Sequence, residues 1–276
     1  MTVRDPKLLE ACITAARAAG AEILKLVAAG FEVETKSDLS PVTVCDRAAE
    51  AIILRALAIA APGVPVIAEE EVAAGRIPAH GETYFLVDPL DGTKEFIRGG
   101  DDYTVNIGLI EQNVPVLGVV FQPAIDRLWA GIVGQTAFVE GGAGRTPIRT
   151  RKRGAKLEAV ASKSHLTQST VDYLCDAVGE CDFVSVGSSL KFCIVAEGLA
   201  DIYPRLSPTS EWDTAAGHAV LVAAGGRVDG LDGQPLAYGK TAFLNRGFCA
   251  TAGWVAPAIE PFMVEFGGGG DLPQGV

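Results

Sequence analysis

The stretch Val87-Asp88-Pro89-Leu90-Asp91-Gly92-Thr93-Lys94-Glu95-Phe96 organises this chain. It continues the apolar run Tyr84-Phe85-Leu86-Val87, which reads as a buried strand. Pro89 and Gly92 force a turn, so Asp88 and Asp91 stand at a strand end on stiff, irregular backbone. Two crowded carboxylates repel one another unless a cation lies between them. Hard divalent cations take oxygen from carboxylates, backbone carbonyls and phosphate. Asp88, Asp91 and the Leu90 carbonyl offer three such oxygens. The bland alternative is a surface Asx turn, since D-P and D-G dipeptides are common in turns.

Three further carboxylates stand in comparable settings. Glu69 and Glu70 sit in A68-E69-E70-E71, delivered by the short apolar run Val64-Pro65-Val66-Ile67. Asp213, in W212-D213-T214-A215-A216-G217, opens a small-residue run to Ala224 that reads as a buried helix closed by Gly225-Gly226. Taken singly, Asp213 is an N-cap and the glutamates are a solvated face.

From the start, Asp5-Pro6 reads as the N-cap and first residue of a helix. Leu8, Leu9, Cys12, Ile13, Ala16, Ile23, Leu24 and Val27 recur at helical spacing, and Gly30 offers the stop. The polar, turn-rich stretch Thr35 to Pro41 reads as a mobile loop. Asp46 precedes a helix from Arg47 to Ala60 and reads locally as its N-cap. Ala61-Pro62-Gly63 breaks the chain, and Glu71 to Glu82 is a surface excursion. An antiparallel meander follows: Tyr103–Glu111, a Gln112-Asn113 turn, Val114–Gln122, a Pro123–Asp126 turn, and Arg127–Ile132. Gly141 to Gly144 is a loop without the pattern of a phosphate cradle.

Arg149 to Lys156, R-T-R-K-R-G-A-K, is the basic cluster of the chain. It reads as a solvated linker or as a rim that attracts phosphate. A soft boundary falls here, giving halves 1–150 and 151–266 and a disordered Gly-rich tail, 267–276. In the second half, strands Leu157–Ser162, Phe183–Val186 and Ala200–Tyr203 alternate with helices Leu166–Val178 and Ser188–Glu197. That alternation predicts a parallel or mixed sheet, and the whole a layered α/β sandwich.

With 276 residues and 49% hydrophobic content, the chain can bury a substantial core. It contains no apolar run long enough to span a bilayer, and its start, M-T-V-R-D-P, lacks a signal-peptide pattern. Six scattered cysteines without C-x-x-C suggest core residues in a reducing cytoplasm. A net charge of −11 argues against nucleic-acid binding. For an anionic substrate, such a charge implies bound cations that invert the local field.

The sequence E-E, D-P-L-D-G-T and W-D-x-A-x-G, in that order, resembles the Mg²⁺-dependent, lithium-sensitive phosphomonoesterases of the inositol monophosphatase superfamily. The resemblance spans Asp5 to Phe266. D-G-T-K-E-F-I at Asp91–Ile97, Y-T-V-N-I at Tyr103–Ile107, S-K-S-H at Ser162–His165, G-S-S-L-K-F at Gly187–Phe192 and Y-P-R at Tyr203–Arg205 are similar to its bacterial 3′(2′),5′-bisphosphate nucleotidase branch, of the sulfate-assimilation type. Ala68 replaces the usual Gly or Ser. The resemblance implies the layered fold of that superfamily and two or three Mg²⁺ ions. Glu69, Asp88 and the Leu90 carbonyl would hold one, and Asp88, Asp91 and Asp213 another. Glu70 would be an outer ligand or proton acceptor, and Thr93 and Asp46 would orient and deprotonate the attacking water. Gly92 and Thr93 N–H groups would bind the phosphate, and the Thr35 to Pro41 loop would close over bound metal. Ser162, His165, Gly187, Lys191 and Arg205 would contact the nucleotide, although Lys191 reads locally as a snorkelling lysine and His165 as a capping residue. The implied substrate is adenosine 3′,5′-bisphosphate, with 3′-phosphoadenylyl sulfate as a relative; an inositol or sugar phosphatase is the alternative. A cytoplasmic monomer or homodimer follows, with peripheral membrane attachment left open.

Overall fold

The computed structural model describes residues 4–30, 33–35, 41–162 and 166–263. Residues 36–40 of the polar loop, His165 and the Gly-rich tail lie outside the described residues, as does the side chain of Ser162.

Helix α1 (Pro6–Ala29) begins where expected: Asp5 accepts the Lys7 N–H at 2.8 Å, and Gly30 closes it at φ 81°. Full burial along it ends at Ile23, so Leu24 and Val27 are exposed at 42% and 40%, contrary to the helical pattern. Strands β1 (Val33–Thr35) and β2 (Pro41–Thr43) pair antiparallel and lead into α2 (Val44–Ala60). This helix starts three residues before Arg47. Its cap is Thr43, and Asp46 is the acidic partner of a capping box rather than the N-cap.

Strand β3 (Val66–Ala68), helix α3 (Glu69–Ala73), strand β4 (Thr83–Asp91) and helix α4 (Thr93–Ile97) follow. The meander then runs through β5 (Thr104–Glu111), β6 (Val114–Gln122), β7 (Arg127–Ile132), β8 (Thr136–Gly141) and β9 (Gly144–Pro147). These strands form one sheet in sequential order from β3 to β9, parallel at β3–β4 and antiparallel elsewhere. Gln112 and Asn113 take φ of 50° and 65°, the left-handed pair that a tight two-residue hairpin needs. The Gly141–Gly144 segment proves to be a hairpin joining β8 and β9, because alternation in these short, polar strands is weak.

Strand β10 (Leu157–Ser162) leads to α5 (Gln168–Asp172), which widens into a π turn over Tyr173–Val178. Strand β11 (Cys181–Val186), helix α6 (Leu190–Ala196), strands β12 (Ile202–Arg205) and β13 (Thr209–Ser210) and helix α7 (Trp212–Ala223) come next. Strands β14 (Arg227–Asp229), β15 (Leu244–Asn245) and β16 (Phe248–Thr251) complete the order. The second sheet runs β11-β10-β12-β16-β14 and is mixed: β10 is parallel to both neighbours and β16 antiparallel to both. The pattern reading carried no strand beyond Tyr203; β14 and β16 are only three and four residues long, too short for periodicity to register.

Alternate residues of β4 face opposite ways. Phe85 and Val87 pack with Leu9, Cys12, Ile53 and Leu57 of α1 and α2. Tyr84 and Leu86 join the cluster of Phe192 and Val195 from α6 and Ala216 and Val220 from α7, which also holds Val160, Tyr203 and Ala250 of the second sheet. Tyr173 and Leu174 close that sheet's far face with Leu157, Ala159 and Ile202. The result is five layers: helices, sheet, helices, sheet, helix. No helix of the described residues is long and apolar enough to cross a membrane.

Helix α7 lies in a trough of paired glycines. Gly108, Gly118 and Gly131 stand side by side across β5, β6 and β7. A Cβ on Gly118 would lie 2.2 Å from the Ala216 carbonyl oxygen, and one on Gly108 would lie 2.8 Å from Ala215 Cβ. Both neighbours are parts of a packed helix and cannot swing aside. Gly118→Ala is therefore expected to destabilise the fold by about 1–3 kcal/mol, the usual range for overpacking. An unchanged denaturant midpoint would show that the helix can shift without penalty.

Candidate active site

The carboxylates collect where strand ends and helix starts meet. Ala68 pairs with Val87 in the parallel β3–β4 ladder, so Glu69, just past the end of β3, lies beside Asp88, which still pairs with Asn106 within β4. The β4–β5 register then breaks between Asp88 and Asp91, and Leu90 N–H folds back to Asp88 Oδ1 at 3.0 Å. Gly92 takes φ 93° as the N-cap of α4, where a Cβ would lie 2.8 Å from the Asp102 carbonyl oxygen. Only glycine meets both conditions without strain.

Asp88 is 2% exposed. Burial first, then the charges of Glu69, Asp91 and Asp213, hold its pKa well above the ordinary carboxylate range. Asp213 is pushed up to about 6 by burial and by Asp91, with Arg205 pulling the other way. It is the second residue of α7, whose cap position is Glu211, so the N-cap reading of Asp213 does not hold. It accepts hydrogen bonds from the Thr209 hydroxyl and, at 3.2 Å, from Ser210 N–H.

Thr93 sits between two acceptors, the Leu90 carbonyl at 3.0 Å and Asp46 Oδ1 at 3.3 Å. The other Asp46 oxygen accepts both the N–H and the hydroxyl of Thr43 at 2.7 Å. One carboxylate oxygen is thereby anchored and the other aimed at Thr93.

The turn between β11 and α6 supplies the far wall. Asp91 Oδ2 accepts Ser189 N–H at 2.6 Å and the Ser188 hydroxyl at 2.8 Å. Ser188 is left-handed at φ 54°. The buried Gly187 N–H donates to Asp102 at 3.2 Å, with no room for a Cβ. Lys191 is 2% exposed, so it does not snorkel. Its ammonium donates to the carbonyls of Ser188 and, at 3.3 Å, Val186, and lies 5.2 Å from the Tyr203 ring centroid. Burial lowers its pKa to about 8. Arg205 donates to the carbonyls of Ser207 at 3.4 Å and Pro208 at 3.1 Å, and lies in the field of Tyr203, Asp213 and Asp91.

Six site residues named from sequence thus cluster by contact or field: Glu69, Asp88, Asp91, Lys191, Arg205 and Asp213. Asp46, Leu90 and Thr93 are linked by hydrogen bonds beside them. Among the described residues, no three acidic, histidine or cysteine side chains surround one point at ligand distance. Asp91 and Asp213 turn toward protein donors instead. The donor set still suits a hard cation: it is all oxygen, and the raised pKa of Asp88 registers uncompensated negative charge.

Two parts were missed in the sequence. Glu50, 3% exposed on α2, accepts Glu70 N–H at 2.8 Å, and burial lifts its pKa to about 7. Its signal was a glutamate three residues before Ile53 on the apolar face of a helix. Thr104 and Asn106 of β5 tie the serines in place, with Thr104 Oγ1 2.5 Å from Ser188 Oγ and the Ser189 hydroxyl donating to Asn106 at 2.8 Å. Both lie in the Y-T-V-N-I segment, but their partners depend on tertiary placement. The basic segment near Arg149 lies at the other end of α7, against Ala223 and Ala224, so it is not a rim of this site.

Comparison with known proteins bears on this geometry. Residues 5–260 match the family model described as the inositol monophosphatase family. The chain is 45% identical over 247 residues to the 3′(2′),5′-bisphosphate nucleotidase CysQ of Salmonella typhimurium, covering 88% of this chain and 99% of that one. It is 35% identical over 223 residues to a histidinol-phosphatase of Mycobacterium tuberculosis, covering 79% and 84%. Among solved structures, CysQ of Bacteroides thetaiotaomicron superposes with a TM-score of 0.75 at 36% identity, over 89% of this chain and 97% of that one.

Proposed function

The chain belongs to the inositol monophosphatase family, and from that premise we propose that it is a Mg²⁺-dependent phosphatase removing the 3′-phosphate of adenosine 3′,5′-bisphosphate, with 3′-phosphoadenylyl sulfate as a second substrate. The observation that carries this reading is the crowding of Asp88 by Glu69, Asp91 and Asp213 beside the Thr93–Asp46 pair. Similarity to relatives named as bisphosphate nucleotidases supports the substrate class.

In this reading Glu69, Asp88 and the Leu90 carbonyl would hold one ion, and Asp88, Asp91 and Asp213 would hold a second. Bound Mg²⁺ supplies Lewis-acid polarisation of the phosphoryl oxygens and lowers the pKa of bound water. Thr93 Oγ accepts a hydrogen bond from the attacking water, and Asp46 Oδ1 takes the threonine proton in turn. The Thr43 bonds keep Asp46 oriented for that transfer. Glu70 stands as a nearby proton acceptor, and the Gly92 and Thr93 N–H groups at the head of α4 face the phosphate. The water oxygen bonds to phosphorus as the P–O3′ bond breaks, the 3′-oxygen takes a proton from solvent water, and Asp46 returns its proton to solvent.

Phosphate release from adenosine 3′,5′-bisphosphate and from inositol 1-phosphate tests the assignment, with Mg²⁺, with EDTA and with added Li⁺. The bisphosphate is expected to be the better substrate, with activity lost in EDTA. Preference for inositol 1-phosphate would overturn the nucleotidase reading.

Lys191 underlies the expected selectivity. An ammonium has three donors, and two of them are engaged by carbonyls. The third is assigned to the substrate's 5′-phosphate. Lys191→Met is expected to raise KM for the bisphosphate about ten- to a hundredfold, from ~1.5–3 kcal/mol for a charged hydrogen bond. A phosphomonoester lacking the 5′-phosphate should be barely affected; equal losses on both would make Lys191 a support of the turn alone.

A further inference from the structure

A second basic feature lies away from the carboxylates. A cavity of about 530 Å³ is lined by Arg149, Lys152, Arg153, Ala224 and Trp254 among others. That volume is within the range of small-molecule sites. It sits at the C-terminal end of α7, and Asp213 sits at the N-terminal end. Ten residues separate Asp213 from Ala223, or about 15 Å along the helix axis. The cavity is therefore separate from the site already described.

The strap that carries these cations is held by backbone contacts. Thr150 N–H donates to the Ala224 carbonyl at 3.0 Å. Gly198 lets the strap pass closely: a Cβ there would lie 3.0 Å from the Arg149 carbonyl oxygen. Arg151 is tied down by both Asp201 oxygens, one at 2.9 Å. Its charge is thereby matched. Arg149, Lys152 and Arg153 are exposed and form no ion pair among the described residues. Arg153 stacks over the Trp254 ring at 4.2 Å, and the indole N–H of Trp254 is buried with no hydrogen-bond acceptor.

A helix C-terminus ordinarily repels anions. Here its carbonyls are covered: Gly226 N–H reaches Leu221, Gly225 N–H reaches Val222, and Thr150 reaches Ala224. Three cations without an ion pair among the described residues then line one concavity on a chain of net charge −11. Such local reversal of sign concentrates small polyanions from solution. Guanidinium groups bind phosphate bidentately, and an aromatic wall suits a planar ligand.

We infer that the cavity of Arg149, Lys152, Arg153 and Trp254 binds a small molecule carrying two or more phosphate groups, independently of the carboxylate site. The test is calorimetric titration of the full chain with pyrophosphate in EDTA, where metal-dependent binding is suppressed. Saturable binding is expected. The double variant Arg149→Gln/Lys152→Gln should weaken it at least about tenfold, the scale of losing charge-assisted bonds. Phosphate release in Mg²⁺ without pyrophosphate should be unchanged in that variant, which also shows that it folds. Lys191→Met should leave pyrophosphate binding intact. ADP run in parallel separates the sources: tighter binding than pyrophosphate marks a nucleotide ligand, and equal binding marks the phosphate groups alone. No binding by the unaltered chain, binding that survives the double variant, or binding lost in Lys191→Met would each overturn the inference. The binding outcomes are all read in EDTA, and a circular dichroism spectrum and melting temperature in EDTA like those of the unaltered chain establish the fold of the double variant without metal, so they stand apart from the success or failure of the phosphatase reading.

Discussion

Thr93→Ala is expected to lower kcat by about 10²–10⁴-fold, the range for positioned proton transfer. The thermal stabilisation produced by Mg²⁺ should persist. The hydroxyl lies between Asp46 Oδ1 and the Leu90 carbonyl and is not one of the crowded carboxylates. Its loss removes the link from water to Asp46 and keeps the anionic cluster. Asp46→Asn should cost a similar factor, and the double variant little more than either alone, because the two residues act as one unit. Additive losses would separate them. A loss of Mg²⁺ stabilisation in Thr93→Ala would place the hydroxyl among the metal ligands.

Asp88→Asn is expected to move activity and stability in opposite directions. Activity should fall at least about a thousandfold, since several kcal/mol of charge stabilisation are lost with a shared ligand. In EDTA at pH 8 the variant should unfold at a higher temperature than the unaltered chain. The folded pKa of Asp88 is raised, so the folded state binds its proton more tightly than the unfolded state does. Stability linked to that proton is present at low pH and is lost as pH rises through the folded value. Asp213 adds a loss of the same sign as pH rises toward its folded value of about 6. The gap between variant and parent should therefore close toward pH 4. Saturating Mg²⁺ at pH 8 should reverse the order, because the parent gains more from the cation. A less stable Asp88→Asn protein in EDTA would mean that the carboxylate is held by partners stronger than its neighbours' repulsion.

These expectations rest on features unequally visible in the chain. The first helix was legible from its Asp5-Pro6 start and Gly30 stop, the three central meander strands from alternation between short turns, and α7 from its small-residue run closed by Gly225-Gly226. The five-layer order was legible in outline, as strands and helices alternate beyond Leu157. Glu69 and Asp88 could be named because each follows an apolar run, Asp91 because it stands in the turn beside Asp88, and Asp213 because W-D-x-A-x-G resembles the family's motif. Their partners could not. Whether Asp91 meets Ser188 or solvent depends on how β5 and the β11–α6 turn come together, and no local pattern records that. Glu50 was overlooked because a helix pattern rewards its apolar positions and passes over one charge among them. Lys191 was weighed as a surface residue because long charged side chains usually reach water; two carbonyls hold its ammonium inside instead.

The glycine trough beneath α7 has a bearing on biosynthesis. The contacts that seat this helix join Gly108 and Gly118 to Ala215 and Ala216, about a hundred residues later. Contacts of such sequence separation form late and slowly. A ribosome adding about 5–20 residues per second exposes Asp88 and Asp91 on the order of ten seconds before Asp213 emerges. Through that interval the helix that presents Asp213 has not been made, and its groove on the sheet is an open apolar cleft. The nascent chain therefore passes through a stage in which Asp88 and Asp91 are present and Asp213 is not, and on the proposed two-ion reading the second ligand set would be completed only in the last third of translation.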